Sequence, residues 1–174
     1  MGRNILRLST LAIVAVFAFG ACRRVEEAPP PAPKGPLAPE IAIKEFLNAP
    51  VNMPTTLEGL RGRVILLEYW ATWCVPCLAS VPHVRELYDK FSSRGLQVIS
   101  ITDEDREIAK PFVEKNKMSY VIGLGGKETR RAYGVKAIPM AFLIGRDGRI
   151  LWQGKPIELK DAQIEDALQS VEKK

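Results

Sequence analysis

The sequence predicts an α/β fold with a central mixed sheet flanked by helices, and three observations carry that expectation. From about residue 40 onward, strand-like and helix-like segments alternate, as in a sheet with helices on both faces. The stretch "VILLEYW" at 64–70 is almost continuously apolar, as a central strand covered on both sides must be. Near the C-terminus, "MAFLIGRDGRILWQG" holds two apolar runs around Arg146-Asp147-Gly148, a hairpin signal.

Taken in order, "EIAIKEF" (40–46) alternates like an edge strand, and "TTLEGLRGR" (55–63) reads as a short helical turn into a loop. After the 64–70 strand, Leu78, Val81, Val84, Leu87, Tyr88 and Phe91 recur at helical spacing, and Gly95 closes that helix. "LQVISIT" (96–102) is a second buried strand. "DREIAKPFVEKNK" (105–117) is helical, with a bend or restart expected at Pro111. "YVIGL" (120–124) is a short strand and "KETRRAYG" (127–134) a short helix ended by Gly134. The last helix carries Ile164, Ala167, Leu168 and Val171 on one stripe.

The 174 residues suit one domain plus a targeting segment. The formal charge of +5 is mild, and two of the basic residues, Arg3 and Arg7, lie in the targeting segment. This is no nucleic-acid footprint. The basic "KETRR" at 127–131 reads as a solvated helix face.

Residues 1–21 read as a signal peptide: two arginines, then the uncharged run "LAIVAVFAFGA", shorter than a membrane span of about 20 residues. The run stops at Cys22 behind Gly20 and Ala21. Small residues before a cysteine resemble the bacterial lipoprotein box, in which the cysteine is acylated and becomes the N-terminus. Phe19 stands where that box usually has Leu. Cleavage after Gly20 and an uncleaved anchor are the alternatives, and all three put the domain outside the cytoplasm, membrane-tethered in the lipoprotein reading. Residues 22–39 hold six of the 13 prolines and form an extended linker. Residues 40–174 form the folded domain.

Three cysteines are an odd number for an exported chain. Lipidation of Cys22 accounts for one and leaves Cys74 and Cys77, in "EYWATWCVPC" (68–77), as the thiols able to pair. Zinc needs four ligands, and one CxxC with one histidine, His83, does not supply them. His83 reads as a helix-surface residue. A purely structural disulfide across so short a loop would stabilise little. A redox pair fits better. Cys74 ends a strand-to-helix turn, where free N–H groups and the helix dipole favour a thiolate. Pro76 suits the first turn, where no N–H is required. Cys77 lies one turn further in, so the exposed sulfur attacks and the buried one resolves.

These residues resemble the thioredoxin superfamily and, within it, the TlpA/ResA-like thiol–disulfide oxidoreductases anchored outside the bacterial inner membrane. "WATWCVPC" carries the resemblance, with Pro82 five residues beyond Cys77 and "YGVKAIPMAFLIGRDGRI" downstream. The likeness runs from about residue 38 to the C-terminus. It implies a thioredoxin-like fold with an N-terminal strand extension and a central helix/strand insertion, the latter in "DREIAKPFVEKNKMSYVIGL". It implies a cis bond at Ile138–Pro139 against the cysteines, and a substrate surface including Trp73, Val75, Pro76, Ile138 and Pro139. The chain departs from the family at Glu68, where Asn is frequent, and at Met140, where Thr is common.

Glu68 is six residues before Cys74 on an apolar strand. Buried there, its carboxyl should have a raised pKa and exchange protons near neutrality. The offset matches the buried acid of thioredoxins, which implies that Glu68 serves Cys77. The alternative is a glutamate at the strand's solvent end.

The resulting expectation is an extracytoplasmic thiol–disulfide oxidoreductase. It reduces disulfides of exported proteins, such as apocytochrome c or copper-site proteins, through Cys74 and Cys77. A membrane-embedded thiol donor is the expected partner, with no cofactor, metal or nucleic acid. The alternatives are a disulfide oxidase or isomerase, and a tethered metallochaperone or binding module.

Overall fold

The computed structural model describes residues 35–170. Cys22, the signal segment and most of the Pro-rich linker lie outside the described residues. Among those described, no helix is long and apolar enough to cross a membrane. Six strands form one sheet in the order β1-β4-β3-β2-β5-β6: β1 (Glu45–Leu47), β2 (Val64–Tyr69), β3 (Leu96–Thr102), β4 (Val121–Leu124), β5 (Met140–Ile144) and β6 (Ile150–Gly154). Strand β3 runs parallel to β2 and β4, while the β1–β4, β2–β5 and β5–β6 pairs are antiparallel. Helices α1 (Val75–Phe91), α2 (Arg106–Lys115), α3 (Lys127–Ala132) and α4 (Asp161–Gln169) complete the fold.

All six residues of β2 are buried, because β3 and β5 flank it and apolar clusters cover both faces. Leu66, Trp70, Val98 and Leu143 face one cluster with Val81, Val84 and Leu87 of α1. Ile65, Leu67, Tyr69, Ile99 and Phe142 face the other, with Leu57, Leu60 and Val135. At the end of α1, Gly95 takes φ 107° and turns the chain into β3. At the β5–β6 hairpin, Gly148 (φ 77°) donates to Gly145 O at 2.8 Å. A side chain rarely adopts either conformation.

The fold is thioredoxin-like, as the sequence implies, with differences of local cause. The edge strand is shorter than "EIAIKEF" because side chains take over the backbone of Ile41 and Ala42. The Glu40 carboxylate accepts from the amides of Ile41, Leu57 and Glu58, and Thr129 Oγ1 both donates to Ala42 O and accepts from Ala42 N. The domain also starts before residue 40, since Ile150 N donates to Pro36 O and Ala38 N to Gly148 O. Helix α2 runs through Pro111 without a restart. His83 is half-buried rather than solvated, its Nε2 3.0 Å from Leu159 O.

Candidate active site

The end of β2 leads directly into the cysteine motif. Trp70 N donates to Ile101 O, which keeps the chain on β3 for one residue beyond the strand. The loop that follows is held by Glu104, whose carboxylate accepts from Thr72 N (2.9 Å), Thr72 Oγ1 (2.7 Å) and Thr102 Oγ1 (3.0 Å). This clamp joins residues 32 apart in sequence, and no sequence pattern announced it.

Cys74 is the N-cap of α1, extended at φ −85° and ψ 93°, and its Sγ accepts from Cys77 N at 3.2 Å. Pro76 sits within the first turn, where a donor would have no helical partner. No acidic residue occupies that turn, so nothing there opposes the dipole's preference for a negative sulfur. Cys74 and Cys77 are joined in a disulfide with Cα atoms 5.2 Å apart.

The burial of the two sulfurs corrects the sequence reading. Cys74 is 3% exposed and Cys77 4%, so in the oxidised protein neither is the exposed partner. The disulfide turns both side chains into the cluster with Trp70 and Val81, while Trp73 and Val75 project outward, each 73% exposed. Pro76 is exposed beside them. What distinguishes Cys74 is its capped position, not its accessibility.

Strand β5 brings the proline. The Ile138–Pro139 bond is cis, immediately before a strand in which Met140 pairs with Tyr69 and Ala141 with Glu68. Both Ile138 and Pro139 are half-buried, and Ile138 packs against both apolar clusters. The cis bond therefore lies level with the end of β2, where the cysteine loop begins.

Alternation along β2 sets the direction of Glu68. Leu66 and Trp70 belong to the cluster containing the cysteines, Leu67 and Tyr69 to the other. Glu68 therefore points to the cysteine side. It stands in register with Ser100 on β3 and Ala141 on β5. It is 4% exposed, which excludes the solvent-facing alternative. Ser100 Oγ donates to its Oε1 at 2.6 Å. Burial raises its pKa from 4.5 to about 7, and the Ser100 hydrogen bond works in the opposite direction. A group poised there can take up or release a proton at neutral pH. Ser100 is a residue that the sequence reading missed. A serine inside "LQVISIT" was its only trace.

Beside the motif opens a cleft of about 50 Å³ at the carboxyl ends of β2 and β3, lined by Tyr69, Trp70, Trp73, Asp103, Arg130 and Ile138 among others. Arg130, read from sequence as part of a solvated face, instead pairs with Asp103 (Nη1 to Oδ2, 3.1 Å) and donates to Val135 O. Among the described residues, no group of three or more His, Cys, Asp or Glu side chains is arranged to hold a metal ion.

Comparison with known proteins agrees with this architecture. The Redoxin family model matches residues 33–169. The thiol-disulfide oxidoreductase ResA of Bacillus thuringiensis subsp. konkukian is 32% identical over 133 residues, covering 71% of this chain and 76% of that protein. ResA of Oceanobacillus iheyensis is 24% identical over 151 residues, 85% of this chain and 79% of the relative. A Chlorobium tepidum crystal structure described as thiol:disulfide interchange protein DsbE superposes with a TM-score of 0.66 at 29% identity, covering 78% of this chain and 98% of that one.

Proposed function

The chain belongs to the redoxin family and is a TlpA/ResA-like thiol–disulfide oxidoreductase of the thioredoxin superfamily, and from that premise we propose that it reduces disulfides of exported proteins outside the cytoplasm. The observation that carries this reading is the Cys74–Cys77 pair at the N-terminus of α1, on the same side of the sheet as the buried carboxyl of Glu68.

In the reduced enzyme, the Cys74 thiolate attacks a substrate disulfide. A bond forms between Cys74 and one substrate sulfur, and the other substrate sulfur leaves as a thiolate and takes up a proton. Glu68 accepts the proton of Cys77. The Cys77 thiolate then attacks the Cys74 sulfur, breaks the mixed disulfide and releases the second substrate thiol. The enzyme is left with the Cys74–Cys77 disulfide, the form seen here. Two electrons from a dithiol donor, which we place in the membrane, restore it. Trp73, Val75 and Pro76 on one side, and Ile138 and Pro139 on the other, form the surface for an extended substrate. No residue between the cysteines adds a positive charge to stabilise the Cys74 thiolate further, which favours the reducing direction. The tether is an acylated Cys22, and apocytochrome c or copper-site proteins are the substrates.

The test is capture. Cys77→Ala cannot resolve the intermediate, so exported proteins should accumulate in mixed disulfides on Cys74 in the native host. Capture of nothing, or of cytoplasmic proteins alone, would remove the reading. Intact mass of membrane-extracted protein should show a chain beginning at acylated Cys22. An N-terminus at Ala21 or an intact Met1 would rule out the lipid tether.

A further inference from the structure

An open groove of about 330 Å³ lies between α1 and the end of α2. Leu78, Val81 and Pro82 of α1 form its apolar part, while Arg85 of α1 and Lys115 and Lys117 at the end of α2 supply its charge. Asn116, which also lines it, is neutral, so the lining holds three cations and no carboxylate. Elsewhere on the same two helices cations are matched: Lys90 pairs with Asp161, Arg106 with Glu45, and Lys110 with Glu114 at 3.5 Å. Among the described residues, no carboxylate lies within ion-pair distance of Arg85, Lys115 or Lys117. The α2 wall of the groove is held in shape by its own turn. Lys117 N donates to Glu114 O, Met118 N to Val113 O, and Asn116 Nδ2 to Phe112 O.

Resting on the reductase reading above, we propose that this groove docks an acidic segment of the protein substrate, about five residues along the substrate chain from the reacting half-cystine. Charge complementarity selects that occupant. A guanidinium can hold a carboxylate through two parallel hydrogen bonds, and each ammonium adds a mobile positive charge at the rim. Leu78 is half-buried and Pro82 exposed, so an apolar side chain beside the carboxylates has a surface to cover. A basic segment meets three like charges, and a neutral one gains only the apolar part. Such pairing acts mainly on encounter and register, which suits an enzyme that must release its product.

The position suits the reaction. Leu78 directly follows Cys77, and Val75, Leu78, Pro82 and Arg85 succeed one another at steps of three and four. They therefore share one face of α1. Val75, at the motif end of that face, is 73% exposed. A continuous path thus runs from the disulfide to the cations. At about 1.5 Å per helical residue, Arg85 lies about 16 Å along the axis from Cys74. An extended peptide advances about 3.3 Å per residue, so about five residues cover that distance.

The experiment uses reduced full-length protein and disulfide peptides that carry Glu, Gln or Lys at the fourth to sixth residues on one side of the half-cystine. On one of the two sides the Glu peptide should be reduced about tenfold faster than the Gln peptide at low salt, and the Lys peptide more slowly than either. The advantage should shrink as ionic strength rises. Lys115 and Lys117 are exposed, and Lys115→Glu with Lys117→Glu should bring the Glu-to-Gln ratio to within twofold. Glu and Gln rates within about twofold on both sides in the wild type would overturn the proposal. So would a preference that survives the double substitution. A second readout is independent of turnover. A Glu peptide with Ser in place of the half-cystine should protect Lys115 and Lys117 from acetylation. Protection by phosphatidylglycerol vesicles or by raised protein concentration, but not by the peptide, would assign the groove to a membrane surface or a second copy instead. Bis(2-hydroxyethyl) disulfide, small and uncharged, separates the two readings. Its reduction without any peptide preference removes the docking groove and leaves the oxidoreductase, whereas failure with every disulfide removes both.

Discussion

On one face of the sheet, Leu66, Trp70 and the two cysteines pack with Val81, Val84 and Leu87 of α1; on the other, Ile65, Leu67 and Tyr69 pack with Val135, Phe142 and Ile144. Both faces are apolar and nearly closed to water. The strand carboxyl lies on one of them only, because alternation sends Glu68 to the face that also receives the N-terminus of α1 with its sulfurs. There the low-polarity surroundings, which elsewhere only stabilise the fold, raise a carboxyl to about 7. Dryness alone does not make a redox site. It becomes chemically useful where it encloses a titratable group beside a reactive one. Since the side-chain period of a strand is two, a register slip of one residue would exchange the roles of the faces.

Substitutions on the two faces should therefore fail differently. The largest expected effect is on the face without sulfurs. Leu67 is fully buried, and Leu67→Ala should cost about 2–5 kcal/mol of stability in denaturant unfolding. Thiol exchange by the folded protein should keep its rate. A large loss of exchange with stability intact would show that the faces are not separate in role.

Next is Glu68→Gln, which should slow resolution of the mixed disulfide by about 10²-fold, the scale of a lost general base, and leave the first attack by Cys74 little changed. Its stability effect has a defined sign. The folded pKa of about 7 lies above the ordinary 4.5, so between these values the folded protein holds the extra proton. The cost of ionising the buried group is absent below about pH 4.5 and full above about pH 7, on the order of 3 kcal/mol at roughly 1.4 kcal/mol per pH unit. Wild-type stability should fall through that window relative to Glu68→Gln, and the two should converge at pH 4. Parallel stability profiles, with equal resolution rates, would deprive Glu68 of both roles.

The smallest effect sharpens the same point. Ser100→Ala removes the hydrogen bond that favours the charged carboxylate. The pH midpoint of the resolution step should move up, with a loss at pH 7 of less than about tenfold. A midpoint that moves down would mean that Ser100 favours the neutral acid instead.

Much of this arrangement was legible in the chain. Strands β2 and β3 were readable because strands buried on both faces must be written in nearly unbroken apolar residues. The cysteine pair was readable because a capped helix start after a strand leaves a local signature. Residues 40–43 misled because their alternation is real while Glu40 and Thr129 take the backbone bonds of Ile41 and Ala42 that a strand would use. The relative exposure of the cysteines was misjudged because position within a helix does not reveal what packs on it.

The sequence by itself determined the α/β order of elements, the pairing of Cys74 with Cys77, and the presence of an acid on a strand that must be buried. These are recorded in near neighbours, since helix caps, strand alternation and a CxxC span only a few residues. Only the tertiary structure decided that Ser100 meets Glu68 and that Glu104 clamps Thr72. Those contacts depend on which strands become neighbours and in what register, and hydrogen bonds between residues some thirty positions apart leave no periodic trace in the chain.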